Sequence, residues 1–425
     1  MSYLVRTVAL LTFVICWTGR SAAYSVLTHE EIVDLLWTSN IRPLIEHRFP
    51  GLTPDQIKEA HAYAYGGSVI QDLGYYPFGS KEFSDLVHYV RSGDFVEEML
   101  RQSQDPKEYA FALGALAHYV SDVDGHPAVN QAVAIRYPKL RARYGPSVKY
   151  AQDKAAHLKT EFGFDTLQMA KNRYAPDQYH DFIGFEVSEP LLERTFPIVY
   201  GMDLKEVLPH QELAIGSYRW AISQLIPHMT KVALQFHKKQ LAQESPNFQK
   251  RRFLYRLSRT DYERSWGTTY QRPGFGTRFL AALLRIMPKI GPFKGLGFDD
   301  PSQRTEDLYI KSINQTFDDY KHLLEQAKTA VPDLPDRDLD TGEGTRPAEY
   351  TLADDTYAKL VTQLADKKFA QARPELRENI LGFYANPTAP VKTKKDEARW
   401  QKVQDALNQM RSAPPAVAEA VQPAP

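Results

Sequence analysis

Apolar residues recur at helical spacing along most of the chain, and residues suited to helix ends punctuate the recurrences. Thr28-His29-Glu30-Glu31 fits a capping box, with Thr28 accepting from an early helix amide and Glu31 reaching back. Thr53-Pro54-Asp55-Gln56 repeats that logic, with Pro54 at the first helical position, where a missing N–H costs nothing. Ser80 is placed to cap a helix reaching about Arg91 and ending near Gly93. Lys107 to Val120 is Ala/Leu-rich at helical spacing, and Tyr150 to Phe162 continues the pattern. Val187 to Lys239 reads as two or three amphipathic helices that close the core. No run alternates as a strand would, and no Asn-Gly or Asp-Gly hairpin signal lies between such runs. The pattern predicts an all-α fold, a multi-helix bundle with additional C-terminal helices.

Residues 1–23 read as a secretory leader: Arg6, an apolar run from Val8 to Trp17 short for a bilayer, then Ser21-Ala22-Ala23. Cleavage there leaves Tyr24 as the amino terminus and sends the protein to the periplasm or outside the cell. Cys16, the one cysteine, is lost with the leader, so no disulfide framework is expected. Residues 24–245 hold the dense chemistry, and 246–330 form a helical extension. In that extension the apolar run 279–288 reads as a buried helix, with a membrane-surface helix as the alternative. Residues 331–349, rich in Pro, Asp and Gly, read as a linker, 350–411 as a small helical segment and 412–425 as a disordered tail. Basic and acidic residues number 52 each, so no strong field selects nucleic acid or an acidic surface, and no protein partner is inferable.

Two helical pairs suit a metal ion: His118 with Asp122, and His157 with Glu161. With 12 histidines and 52 acids in 425 residues, chance alone supplies about 1.5 such pairs, so spacing by itself decides nothing. The ordered set decides more: Tyr24, His29, Asp72, His88, His118, Asp122, His126, His157 and Glu161. They lie in Tyr24-Ser-Val-Leu-Thr-His29, Gln71-Asp72-Leu73-Gly74, His88-Tyr89, Ala117-His118-Tyr119-Val120-Ser121-Asp122-Val123-Asp124-Gly125-His126-Pro127 and His157-Leu158-Lys159-Thr160-Glu161. On these residues the chain resembles the zinc-dependent phospholipase C family and its relatives, the single-strand-specific zinc nucleases, over roughly residues 24–230.

The resemblance implies three zinc ions. Asp72, His88, His118 and Asp122 would hold the first, and His126, His157 and Glu161 the second. The amine and carbonyl of Tyr24, with His29 and the other oxygen of Asp122, would hold the third. It also implies catalytic roles for Asp72 and Asp122, with a zinc-activated hydroxide attacking phosphorus. Three features depart from the family pattern. Tyr24 stands where Trp is usual; Asp122 and His126 are four residues apart where six is usual; and Glu161 follows the phospholipases while the short Tyr24-to-His29 spacing follows the nucleases. Asp124, between Asp122 and His126, is a substitute ligand or an acceptor behind one.

Tyr75, Tyr76, Phe78 and Tyr89 neighbour the ligands and are candidates for a substrate pocket or for core packing. His61, in an Ala/Tyr-rich stretch, reads as a satisfied core histidine. The implied function is hydrolysis of a phospholipid, or another phosphodiester, with transient contact at a membrane surface. A nuclease or nucleotidase with the same metals is the first alternative, and a non-catalytic zinc-binding envelope protein the second.

Overall fold

The computed structural model describes residues 26–170, 185–222 and 302–414. The leader, Tyr24, the run 279–288 and the tail from residue 415 lie outside the described residues. Fifteen α-helices dominate what is described. The chain runs α1 (Val26–Leu36), a wide-turn segment (Trp37–Ile41), α2 (Arg42–Arg48), α3 (Pro54–Gly67) and a 3-10 turn (Ile70–Tyr75). It continues through α4 (Lys81–Tyr89), α5 (Ser92–Gln102), α6 (Pro106–Arg136), α7 (Pro138–Tyr144) and α8 (Lys154–Ala170). After these come α9 (Glu189–Tyr200), α10 (Leu204–Val207), α11 (Gln211–Trp220) and α12 (Gln303–Gln326). A two-residue antiparallel pair, β1 (Arg337–Asp338) with β2 (Glu343–Gly344), precedes α13 (Thr351–Asp366), α14 (Pro374–Phe383) and α15 (Glu397–Ser412). The fold is all-α. Among the described residues no helix is long and apolar enough to cross a membrane.

The 31-residue α6 is the axis of the bundle. Pro106 opens it, and Asp105 caps it by accepting from the amides of Lys107 and Glu108 at 2.8 and 2.9 Å. α3 crosses α6 with backbones in contact: a Cβ on Gly114 would lie 2.1 Å from the Ala64 carbonyl, and one on Gly67 2.0 Å from that of Phe111. α12 covers another side, where Tyr320 Oη donates to the Leu113 carbonyl at 2.9 Å. Buried apolar residues from Val26 to Met410 form one connected core, so α12 and α13 to α15 share it with the helices before them.

Thr53 forms the expected capping box with Gln56, and Pro54 opens α3. Thr28 does not cap. It sits within α1, its hydroxyl donates to Asp165 Oδ1 at 2.7 Å, and the Leu27 amide donates to Asp165 Oδ2 at 3.0 Å. A carboxylate from α8 therefore does the work assigned to the local box. The helix after Ser80 stops at Tyr89, and Arg91 turns the chain with a left-handed φ of 50° into α5.

Residues 331–349 are not the linker that their composition suggested. Leu334, Asp338, Leu339 and Asp340 are all buried. Ser92 Oγ donates to the Arg337 carbonyl at 2.6 Å and accepts from its amide at 2.9 Å, and the Leu339 amide donates to the His88 carbonyl at 3.1 Å. Pro127 lies inside α6 and, lacking N–H, leaves the Val123 carbonyl without its helical donor. Gly342 packs against that carbonyl; with φ +74° and only 2.3 Å available to a Cβ, the turn requires glycine. Proline, aspartate and glycine here shape a strap that crosses the bundle.

Asp336 anchors the strap by accepting from the amides of Gly93 and Asp94 and from Asn379 Nδ2, at 3.1, 3.3 and 3.2 Å. Burial, with Asp94 nearby, pushes its carboxyl up to about 6. A folded-state value above the unfolded one means that stability falls as pH rises from about 4 to about 6. Asp336→Asn should remove that decline and be worth at most about 3 kcal/mol at pH 7. Urea midpoints of the two proteins at pH 4 and pH 7 check it, and equal differences at both pH values would contradict it.

Candidate metal centre

Five elements converge beside the middle of α6. From α6 itself come His118, Asp122 and His126, four residues apart on one face of an uninterrupted helix. The short Asp122-to-His126 spacing thus needs no loop, and it places His126 one turn beyond Asp122. α1 contributes His29, the 3-10 turn Asp72, α4 His88, and α8 His157 with Glu161. None of these eight side chains is more than 2% exposed.

Backbone carbonyls fix three of the histidine rings. Nδ1 of His88 donates to the Ser84 carbonyl at 2.8 Å, that of His118 to Ser68 at 2.9 Å, and that of His126 to Leu339 at 2.5 Å. Each ring therefore turns Nε2 inward, the orientation that metal-binding histidines are held in. The His29 ring stacks on His118, with centroids 4.3 Å apart and planes at 13°.

Asp122 is the hub. Its Oδ1 lies 3.6 Å from His29 Nε2, while Oδ2 lies 3.5 Å from His88 Nε2 and 3.1 Å from His118 Nε2. Asp72 Oδ1 stands 3.5 Å from His88 Nε2. Two ligand groups result, Asp72/His88/His118 and His29/His118/Asp122, with His118 common to both. A third group is His126/His157/Glu161. Tyr24, expected beside His29, falls outside the described residues.

Charge is shared unevenly. Burial pushes the Asp122 carboxyl up, but the surrounding His118, His88 and His126 outweigh it and hold the group well below the usual range. Burial likewise lowers His88, yet the Asp122 and Asp72 carboxylates, each 3.5 Å from its Nε2, hold it well above its ordinary value. In the third group burial raises Glu161 and lowers His157 to about 4, so that pair carries no net charge. Its proton sits on the 2.6 Å contact between Glu161 Oε1 and His157 Nδ1, and His157 Nε2 donates to Asn130 Oδ1 at 2.7 Å. A cation bound here must release that proton.

Several buried polar atoms aimed inward have no hydrogen-bond partner: both oxygens of Asp72 and of Asp122, and Nε2 of His118 and His126. Each such atom costs about 1–3 kcal/mol when buried. Acceptors crowded together without hydrogen bonds call for a cation. Imidazole and carboxylate are the donor set that zinc prefers, so the residues fit zinc.

Other candidates are placed differently. Asp124 points away from the centre toward α12, where burial and Asp319 push its carboxyl up to about 7; it is not a substitute ligand. Tyr89 is fully buried, and its hydroxyl donates to Asp340 Oδ2 at 2.8 Å. Tyr75 is also buried, with its ring 5.8 Å from that of His88, and its hydroxyl has no partner. Tyr76 packs edge-on against Tyr218, and Phe78 is 59% exposed. His61 is a satisfied core residue: Nε2 meets Asp34 Oδ1 at 2.9 Å and the ring stacks on Trp37 at 3.7 Å.

Two residues of the centre escaped the sequence reading. Asn130 continues the every-fourth-residue ladder of His118, Asp122 and His126, a signal that was there to be read. Asp340 had none, since it lies in a stretch whose composition speaks only of turns.

Comparison with known proteins agrees with the site. Residues 28–208 match the family model described as zinc dependent phospholipase C. No curated protein and no solved structure matches the chain.

Proposed function

We infer, on the premise that residues 28–208 form a domain of the zinc-dependent phospholipase C family, that this protein is a three-zinc phosphodiester hydrolase acting on a phospholipid. The observation that carries the reading is the convergence of eight buried candidate ligands, several with unpaired acceptor atoms, on one region of α6.

Zinc, when bound, supplies Lewis acidity and a nucleophile drawn from water at neutral pH. The chain's residues do the rest. Asp122 offers one oxygen toward His29 and the other toward His88 and His118, which fixes the spacing of two ligand groups. Asp72 keeps Oδ1 toward His88, and its carboxylate would orient the nucleophile or accept its proton. His126, His157 and Glu161 form the group that would face the leaving oxygen. The leader reading completes the account: cleavage before Tyr24 frees an amine and a carbonyl for the group around His29, and exports the protein. One residue added before Tyr24 should then cost one zinc and most activity while two zincs remain. Metal analysis of the extended and processed proteins checks it.

One observation favours a second reading, a zinc-holding protein without turnover: each of the eight described candidate ligands is nearly inaccessible. Incubating the zinc-loaded protein with phosphatidylcholine vesicles and, separately, with single-stranded DNA tests both. Diacylglycerol release from the vesicles is expected. Cleavage of DNA alone would make the protein a nuclease, and bound zinc with no turnover of either would establish the second reading.

A further inference from the structure

We propose that Asp340, from the strap outside the family-matched segment, is a direct ligand of the metal held by His126, His157 and Glu161. The proposal rests on the zinc reading above and adds a fourth protein donor to one of its sites.

Asp340 is 1% exposed, and all but one of its polar atoms are committed. Oδ2 accepts from the hydroxyls of Tyr89 and Tyr350. The amide donates to Asp338 Oδ1 at 3.0 Å, and the carbonyl accepts from Asn130 Nδ2 at 3.1 Å. Oδ1 alone has no partner. It stands 3.7 Å from His126 Nε2, which also has none.

Neither atom is satisfied by that pairing. His126 Nδ1 donates to the Leu339 carbonyl, which leaves Nε2 as the ring nitrogen free to bind a cation. Nε2 and Oδ1 face each other in a dry interior at 3.7 Å, too long for a hydrogen bond to join them. Two atoms each about 2.0–2.1 Å from one zinc ion stand roughly 3.3 Å apart at the tetrahedral angle, and farther apart as the angle opens. The separation suits a shared cation.

The surroundings hold Asp340 for that task. Two tyrosine hydroxyls on the far oxygen fix the rotation of the carboxylate and leave the near oxygen aimed at His126. Asn130 ties the strap to the rest of the group by donating to the Asp340 carbonyl and accepting from His157 Nε2. Leu339, next in the chain, orients the His126 ring and also donates its amide to the His88 carbonyl. The strap thus orients one ligand, supplies another and braces the helix that carries a third.

The test uses the full chain, stripped of metal by chelation and titrated with zinc against a competing chelator. Asp340→Asn keeps the shape and an acceptor for the tyrosines but loses the charged donor. It should fold without metal as the parent does, by far-ultraviolet circular dichroism, and bind one zinc at least 10²-fold more weakly. Asp340→Cys, with Cys16 replaced by serine, should bind cobalt(II) with a thiolate-to-cobalt charge-transfer band that the parent lacks. Unchanged zinc affinity in Asp340→Asn, its failure to fold without metal, or a folded cobalt-bound Asp340→Cys without the band would each overturn the proposal. A parent that binds no zinc would instead overturn the zinc reading on which it rests.

Discussion

Asp122→Ala should lose two of three zincs and cut phosphodiester turnover roughly 10³-fold or more. The expectation follows from the two-sided placement of the carboxylate, with Oδ1 toward His29 and Oδ2 toward His88 and His118. Removing a group that merely orients a ligand costs 10–100-fold in metal affinity or activity. Asp122 serves two ligand groups at once, so those losses compound. The His126/His157/Glu161 group shares no side chain with it and should keep its ion. Elemental analysis after gel filtration, alongside steady-state rates, distinguishes this from general unfolding. A variant that holds three zincs and full activity would remove Asp122 from the centre.

Gly114→Ala, a change of one methyl group, should destabilise the protein by about 3 kcal/mol and weaken zinc binding about 10-fold or more. The new Cβ would lie 2.1 Å from the Ala64 carbonyl and 2.8 Å from the Ser68 amide, so it meets backbone, which cannot rotate aside. α3 must then move off α6. The Ser68 carbonyl, which holds His118 Nδ1 at 2.9 Å, moves with it. Overpacking of this kind usually costs 1–3 kcal/mol, and rigid obstacles place it at the upper end. Gly216→Ala is the control, because nothing lies within 4 Å of its Cβ position in α11. It should be neutral or add up to about 1 kcal/mol. Urea unfolding of both variants and zinc competition against a chelator provide the comparison; equal midpoints for the two would contradict the close helix crossing.

What the sequence disclosed follows the range of the forces involved. The helices were legible because their periodicity and caps are local, as at Thr53 and Asp105. The ligand set was legible as an ordered series, although its pairs alone were no commoner than chance. The four-residue spacing of Asp122 and His126 departs from the family pattern, and a continuous α6 puts both on one face. Features made by distant partners were not legible. Thr28 looks like a cap until Asp165 arrives from 137 residues away, and residues 331–349 look like a linker until Pro127 opens the Val123 carbonyl against which Gly342 packs. Asp340 belongs to the same class, since nothing near it in the chain mentions His126. Tertiary context assigned each of these positions, and composition misled where turns serve a buried strap.

The central claim is a multinuclear zinc centre built on α6, and zinc content per chain tests it most directly. Elemental analysis of the purified protein after exhaustive dialysis against metal-free buffer should find three zinc ions per processed chain, all removable by a strong chelator and restored on reloading. A chain that retains no zinc, or whose unfolding midpoint does not rise when zinc is offered, would contradict the account.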